Sequence, residues 1–304
     1  MVNRDAATAA RHAPVRVAIL INNTYEADAR AWKTAESLGQ AGYAVTVIAR
    51  WGAGLATTEK LEHHTVTRIR QPQPLSWLPA PGLPETGDDP HGRLGGLRRR
   101  VSDTIGRCIQ AVRYLRMSRA WSKVIAEQVD AFDVWQAESV ITLSLAVSLR
   151  KHFGGIVVYD ANDIDSEAGR MARLPGPWKR LLRRHERRIA RAADAVVTVS
   201  DPYAQILERV LGRPVDAVVR NAAVVDDLET ETTPAAVKRT DRYHQMFELP
   251  ADHRVVLYIG QVMRGRGLRQ LFEAISLIDD ADLVVAGFGP DYERYRTIAS
   301  ALPH

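Results

Sequence analysis

The sequence predicts an α/β chain built on parallel sheets. Short apolar, β-branched runs alternate with segments of helical periodicity, which is the pattern of successive βαβ units. The 304 residues are 46% hydrophobic and 25% charged, the make-up of a globular chain with enough core for two domains. No stretch reaches the roughly 18 apolar residues of a membrane span; the best run, Ser139 to Leu149, is interrupted by Ser and Thr. The first residues lack the apolar core of a secretory signal, and a single cysteine excludes an internal disulfide framework, so a cytoplasmic protein is expected.

The elements follow in order. Val15 to Ile21 reads as a buried central strand. A helix is expected from about Ala27 to Gln40, with Ala31, Ala35 and Leu38 on one face, before Gly42 ends it. Strands follow at Ala44 to Ala49 and Thr65 to Ile69. Residues 72–96 carry six prolines and five glycines, a density that predicts a long loop. A helix resumes at Leu97, its stripe running through Val101, Ile105, Cys108, Val112 and Leu115, which makes Cys108 core filler rather than a nucleophile. Further strands read at Val134 to Gln136, Ile156 to Tyr159, Ala195 to Val199 and Ala217 to Val219. Between them, Trp178, Leu181, Leu182, His185, Ile189 and Ala192 form an apolar helical stripe flanked by arginines. The polar segment 221–234 is a candidate linker, dividing a first domain, 1–220, from a second, 235–304. The second offers a strand at Val255 to Ile259, a helix at Leu268 to Ser276, a strand at Asp282 to Ala286 and a helix at Tyr292 to Ala301. Two strands fall short of a complete doubly wound sheet, so the second domain reads as partial.

Charge is unevenly placed. The net charge is +5, from 41 basic and 36 acidic residues. Residues 93–123 hold nine basic side chains against Asp103, and residues 170–191 hold nine against Glu186. The rest of the chain is therefore acidic, and the two basic segments suit an anionic lipid or phosphate surface. An ordinary sheet-packing helix with a charged outer face explains the second segment equally. Aromatic residues are few among these arginines and no nucleic-acid motif is present, so nucleic acid is not expected as a partner.

Several chemistries are absent from the pattern. The histidines show no HxxxH or HExxH spacing, and His63 and His64 are adjacent, which is expected to point their rings apart, so no metal site is predicted. There is no GxSxG elbow and no phosphate-binding P-loop. The first strand runs into Asn22-Asn-Thr-Tyr-Glu26 rather than GxGxxG, which disfavours a dinucleotide cofactor. The informative segment is Tyr258 to Leu268, where Arg264 and Arg266 sit among glycines just ahead of a helix. Glycines admit a ligand to the backbone, a helix N-terminus favours an anion, and guanidinium forks suit a diphosphate. A solvated loop with two surface arginines is the alternative. Gly287-Phe-Gly289-Pro290 forms a second strand-to-helix turn.

Six segments in this order resemble family 4 of the retaining GT-B glycosyltransferases: Asp28-Ala-Arg30 with Leu38 to Val47, Tyr159-Asp-Ala-Asn-Asp163, Ala193 to Ser200, Val219-Arg-Asn221, Gly260 to Leu268, and Leu283 to Pro290. The resemblance implies two Rossmann-like domains facing a cleft, the first complete and the second partial. It implies transfer of a sugar, as by a hexosyltransferase, from a nucleotide-sugar donor to a glycan or lipid-linked acceptor with retention. Neither metal nor other cofactor is implied. By position, Arg266 matches the family's basic residue on the donor diphosphate, Gln261 stands where many members carry a second arginine, and Gly260, Arg264, Gly267, Gly287 and Gly289 complete the donor-binding set. Asn162 occupies the place of a histidine beside the transferred sugar; it exchanges hydrogen bonds with a hydroxyl but takes no proton near pH 7. The family's Glu-x7-Glu donor segment has no counterpart before His304. The expectation is therefore a transferase truncated in its donor domain and impaired in activity, peripheral to the inner face of a membrane. The alternative is a non-catalytic partner or scaffold subunit of a glycosyltransferase complex.

Overall fold

The computed structural model describes residues 13–73, 112–113, 116–167, 176–222 and 242–302. The chain divides into two compact units, Met1–Ala223 and Val224–His304.

The first unit is built on an eight-stranded sheet. Its strands are β1 (Arg16–Leu20), β2 (Ala44–Arg50), β3 (Thr58–Lys60), β4 (His64–Ile69), β5 (Val134–Ala137), β6 (Ile156–Asp160), β7 (Ala195–Thr198) and β8 (Ala217–Val218), in the order β3-β4-β2-β1-β5-β6-β7-β8. All pairings are parallel except that of the edge strand β3 with β4. The strand order grows outward from β1 first through β2 and then, on the other side, through β5. The reversal puts the topological switch point between β1 and β5.

Side chains alternate across β1. Val17, Ile19 and Ile21 join Ala31 and Ala35 of α1 (Ala29–Gln40) on one face, with Val47 and Val66 from the neighbouring strands. Ala18 and Leu20 face the larger core, with Trp135, Tyr159 and the helices α2 (residues 116–126), α3 (Val140–Phe153), α4 (Gly176–Ala190) and α5 (Asp201–Leu211). Helix starts follow local chemistry: Asp28 caps α1, Ser139 and Thr142 form a capping box on α3, and Ser200 caps α5 ahead of Pro202.

The second unit has a parallel pair, β9 (Arg254–Ile259) and β10 (Ala281–Ala286), with α6 (Arg242–Phe247), α7 (Leu268–Ile275) and α8 (Tyr292–Ala299). Val262, Leu268, Phe272 and Tyr295 make its core.

The strands expected from apolar runs are present, with ends shifted by a residue. Unforeseen were β3, α3, α5 and α6. The stripe on α4 also differs: Leu181 is 50% exposed, while Glu186, outside the expected stripe, is fully buried. The His63 and His64 rings do not point apart. His63 Nε2 and His64 Nδ1 lie 3.4 and 3.5 Å from the two carboxylate oxygens of Glu36 on α1. Most of the loop 72–96, the resumed helix with Cys108 and most of the segment 221–234 lie outside the described residues.

Candidate functional site

At the carboxyl ends of the central strands, the first unit gathers polar side chains from segments far apart in sequence. The loop from β1 to α1 is tied down at each step. Asn23 donates through its amide to Asp28 at 2.6 Å and accepts from the Tyr25 N–H at 2.8 Å. Tyr25 sits at φ 75°, an uncommon conformation for a side chain of its size, and its hydroxyl lies 2.7 Å from His64 Nε2. Burial holds His64 below the ordinary imidazole value. Arg68 donates to the Thr24 carbonyl, to the Ala56 carbonyl and to Glu59. The loop is thus pre-organised rather than awaiting a ligand to shape it.

The next layer is a buried ion pair. Arg30 on α1 donates to both carboxylate oxygens of Asp160 at the end of β6, at 3.0 and 2.5 Å, with side chains 7% and 3% exposed. Its third donor reaches the Val219 carbonyl at 3.1 Å, and Lys33, one turn on, holds Asn221 and the Ala222 carbonyl. Three of the sequence segments, around Arg30, Asp160 and Asn221, are therefore one hydrogen-bonded unit. Burial pushes Asp160 up while the Arg30 guanidinium pulls it down.

This clamp positions the turn that carries Asn162. Ala161 donates to Val197 and accepts from the Thr198 hydroxyl at 2.7 Å; Asn162 donates from its backbone to Asp160 and is half-buried. Beside it, Gln136 donates to Asp160 at 3.4 Å. Glu138, directly after β5, is 9% exposed and was not singled out from sequence. Its backbone N–H is held by Thr142 Oγ1, while its Oε1 has no partner among the described residues. Burial, with Asp28 and Asp160 adding repulsion, pushes this carboxyl up to about 9.

The second unit carries the other sequence-derived residues. The chain from β9 to α7 contains Gly260, Gln261, Arg264 and Arg266, and Gly267 at φ 76° caps α7 without a side-chain bond, leaving its first N–H groups to other acceptors. Arg264 is held by Asp291: its N–H donates to the carboxylate at 2.9 Å and its guanidinium lies 3.6 Å away. Arg266 is exposed and makes no ion pair among the described residues. Gln261 is exposed, and its carbonyl accepts from the Tyr258 hydroxyl. Gly287 and Gly289 have a packing reason of their own: a Cβ there would stand 1.8 Å from the Gly260 oxygen and 2.3 Å from the Val262 oxygen. Those glycines let two loops lie against each other and so shape the segment bearing Arg266.

Among the described residues no group of three His, Cys, Asp or Glu side chains could hold a metal ion, and no helix is long and apolar enough to cross a membrane.

Comparison with known proteins agrees with this architecture. The chain resembles the sucrose-phosphate synthase of Thermosynechococcus elongatus over 94% of its own length and 66% of that chain, at a TM-score of 0.56 and 16% identity. Likeness to the catalytic domain of Arabidopsis thaliana starch synthase IV, bound to ADP and acarbose, covers 95% and 71%, at 0.54 and 12%. For Anabaena HepE in complex with UDP and glucose the values are 94% and 65%, at 0.54 and 14%. The chain thus spans about two thirds of the length of these structures. No curated protein matches the sequence. The fold is of the GT-B type, and since residues 29–222 match the profile of Glycosyltransferase Family 4, the chain belongs to that family.

Proposed function

We propose that this protein transfers a sugar from a nucleotide-sugar donor to a glycan or lipid-linked acceptor with retention of configuration. The acceptor is held at the carboxyl edge of the first sheet and the donor diphosphate at residues 260–267. The observation that carries the reading is the glycine-rich turn between β9 and α7. It offers a helix N-terminus without a side-chain cap and, in Arg266, an exposed guanidinium with no ion pair among the described residues. Such a pair of features neutralises charge that develops on a leaving diphosphate. Asn162 supplies a hydrogen bond but no proton at the turn held by the Arg30–Asp160 clamp, so transfer is slow in this chain.

The basic segments support a surface-bound acceptor. Burial, with Arg119 on α2 and Arg188 on α4 adding repulsion, lowers the basicity of His185, so one arginine from each segment acts on the same side chain. Leu181 is half exposed there among exposed Arg180, Arg184 and Arg188, an arrangement that suits anionic headgroups at the inner face of a membrane.

Calorimetric titration with UDP-glucose and a GDP-sugar tests the donor side. Binding is expected, weakened about tenfold or more by Arg266→Ala, as loss of a charge-assisted hydrogen bond dictates, and Asn162→His is expected to raise the transfer rate. A second reading, a non-catalytic scaffold subunit, is favoured by the outward-facing apolar side chains Ile259 and Phe288, 73% and 62% exposed. Absence of any nucleotide binding would select it.

A further inference from the structure

The most unusual group in the first unit is Glu138. Register places it: Leu20 pairs with Ala137 and Ala137 with Tyr159, so Glu138 stands one residue beyond, beside Ile21 on one side and level with Asp160 on the other. That is the switch point between β1 and β5, where parallel sheets open a crevice for ligands. Alternation puts Gln136, Glu138 and Asp160 on one face, the face of α1 and Arg30. The turn from β5 into α3 is only Glu138 and Ser139, and both of their backbone N–H groups donate to Thr142 Oγ1, which fixes the position of Glu138.

We propose that the Glu138 carboxyl is a ligand-contacting group, which receives a hydroxyl of a neutral sugar at the switch point; this rests on the reading of the first unit as the acceptor side. Its Oε1 is buried without a partner among the described residues, and a polar atom so placed costs stability unless something pairs with it. The charged groups that face it are Asp28 from the β1–α1 loop, Asp160 from β6 and Arg30 from α1. Each nitrogen of the Arg30 guanidinium already donates, to Asp160 or to the Val219 carbonyl, and its charge is paired with Asp160. An anionic group entering here would meet carboxylates and, among the described residues, no cation but Arg30, already paired with Asp160, so a phosphate or carboxylate is disfavoured. A sugar hydroxyl both donates and accepts, and so does a carboxyl that keeps its proton at neutral pH.

The test uses the full chain, with methyl α-glucoside as neutral probe and glucose 6-phosphate as anionic probe, each titrated by NMR at pH 7. Wild type is expected to bind the glucoside in the millimolar range and the phosphate no better. Glu138→Met, close in shape but without hydrogen bonds, weakens glucoside binding about tenfold or more. Glu138→Gln, which still donates and accepts, stays within about threefold. Neither variant lowers the thermal midpoint, whereas a purely structural carboxyl would lower it in both. Glu138→Ala replaces the Met variant should that one not fold. Unchanged glucoside affinity in the Met variant, no glucoside binding by wild type, or tighter binding of the phosphate overturns the proposal. UDP titrated into the same samples separates the two ideas. Intact UDP binding with glucoside binding indifferent to position 138 sinks this inference alone; Glu138-dependent glucoside binding without UDP binding sinks the donor reading alone.

Discussion

Arg30 and Asp160 stand 130 positions apart, yet they form the buried pair on which the Asn162 turn depends. Both lie in segments that the sequence marks as informative, but no spacing rule joins residues so distant, and their bidentate contact emerges only when the fold brings the start of α1 within reach of the end of β6. Breaking such a pair leaves a buried charge uncompensated, at a cost of about 3–5 kcal/mol. Glu138 was illegible for the same reason: its neighbours Asp28, Arg30 and Asp160 come from three elements. Its effect on stability has a definite sign. Folding moves the carboxyl from the ordinary 4.5 up to about 9, so between these values the folded chain holds a proton that the unfolded chain has released. Stability from this group is complete below pH 4.5 and is lost as pH rises toward 9, at no more than about 1.4 kcal/mol per pH unit. Glu186, raised by burial to about 7, acts in the same sense but is finished near neutrality. His64 and His185, both lowered, act oppositely and only below the imidazole range. From pH 7.5 to 9 Glu186 and the two histidines contribute little, while Glu138 is still titrating. Urea unfolding across it is expected to show wild type losing stability faster than Glu138→Gln; parallel losses would rule the assignment out.

Among the elements, legibility followed geometry. Strands such as β1, β2 and β6 are buried on both faces and stand out as apolar runs. Helix α3 did not, because it is buried around most of its circumference, from Val140 through Leu149, and so shows no single stripe. Helix α5 announces itself in Ser200-Asp-Pro202, a cap followed by proline, with Leu207 and Leu211 four residues apart on its buried side. The glycine turns were legible as turns, but not in their purpose. Gly287 and Gly289 are required where the loop after β10 lies on the backbone of Gly260 and Val262. Since the obstructing atoms are backbone oxygens, no rotamer change relieves the clash. Gly287→Ala or Gly289→Ala is expected to cost about 1–3 kcal/mol, as overpacking does, and to displace the segment carrying Arg266. Far-UV circular dichroism in urea and UDP calorimetry measure the two effects. Wild-type values in both would show that the loops can separate without consequence.

The two units differ in how much each can bury. The first sets an eight-stranded sheet between two apolar clusters, whereas the second has a parallel pair and a core centred on Val262, Leu268, Phe272 and Tyr295. In the second unit Leu277, Ile259 and Phe288 are 83%, 73% and 62% exposed, which reduces the apolar burial available to oppose chain entropy. A chain of two such units departs from two-state unfolding, with the less buried unit opening first. The sequence supplies a built-in reporter, since Trp32, Trp51, Trp77, Trp121, Trp135 and Trp178 account for all six tryptophans and all precede the second unit. Tryptophan emission thus follows the first unit alone, while far-UV circular dichroism follows both. In a urea titration, part of the dichroism is expected to disappear at a concentration where emission is still native, and the remainder to vanish together with emission. A donor nucleotide bound at the Arg266 segment stabilises only the state it binds. Added UDP should therefore move the early dichroism step to higher urea and leave the emission midpoint in place. Coincident curves would mean that the two units unfold as one, and a shift of the emission midpoint by UDP would place nucleotide contacts on the first unit as well.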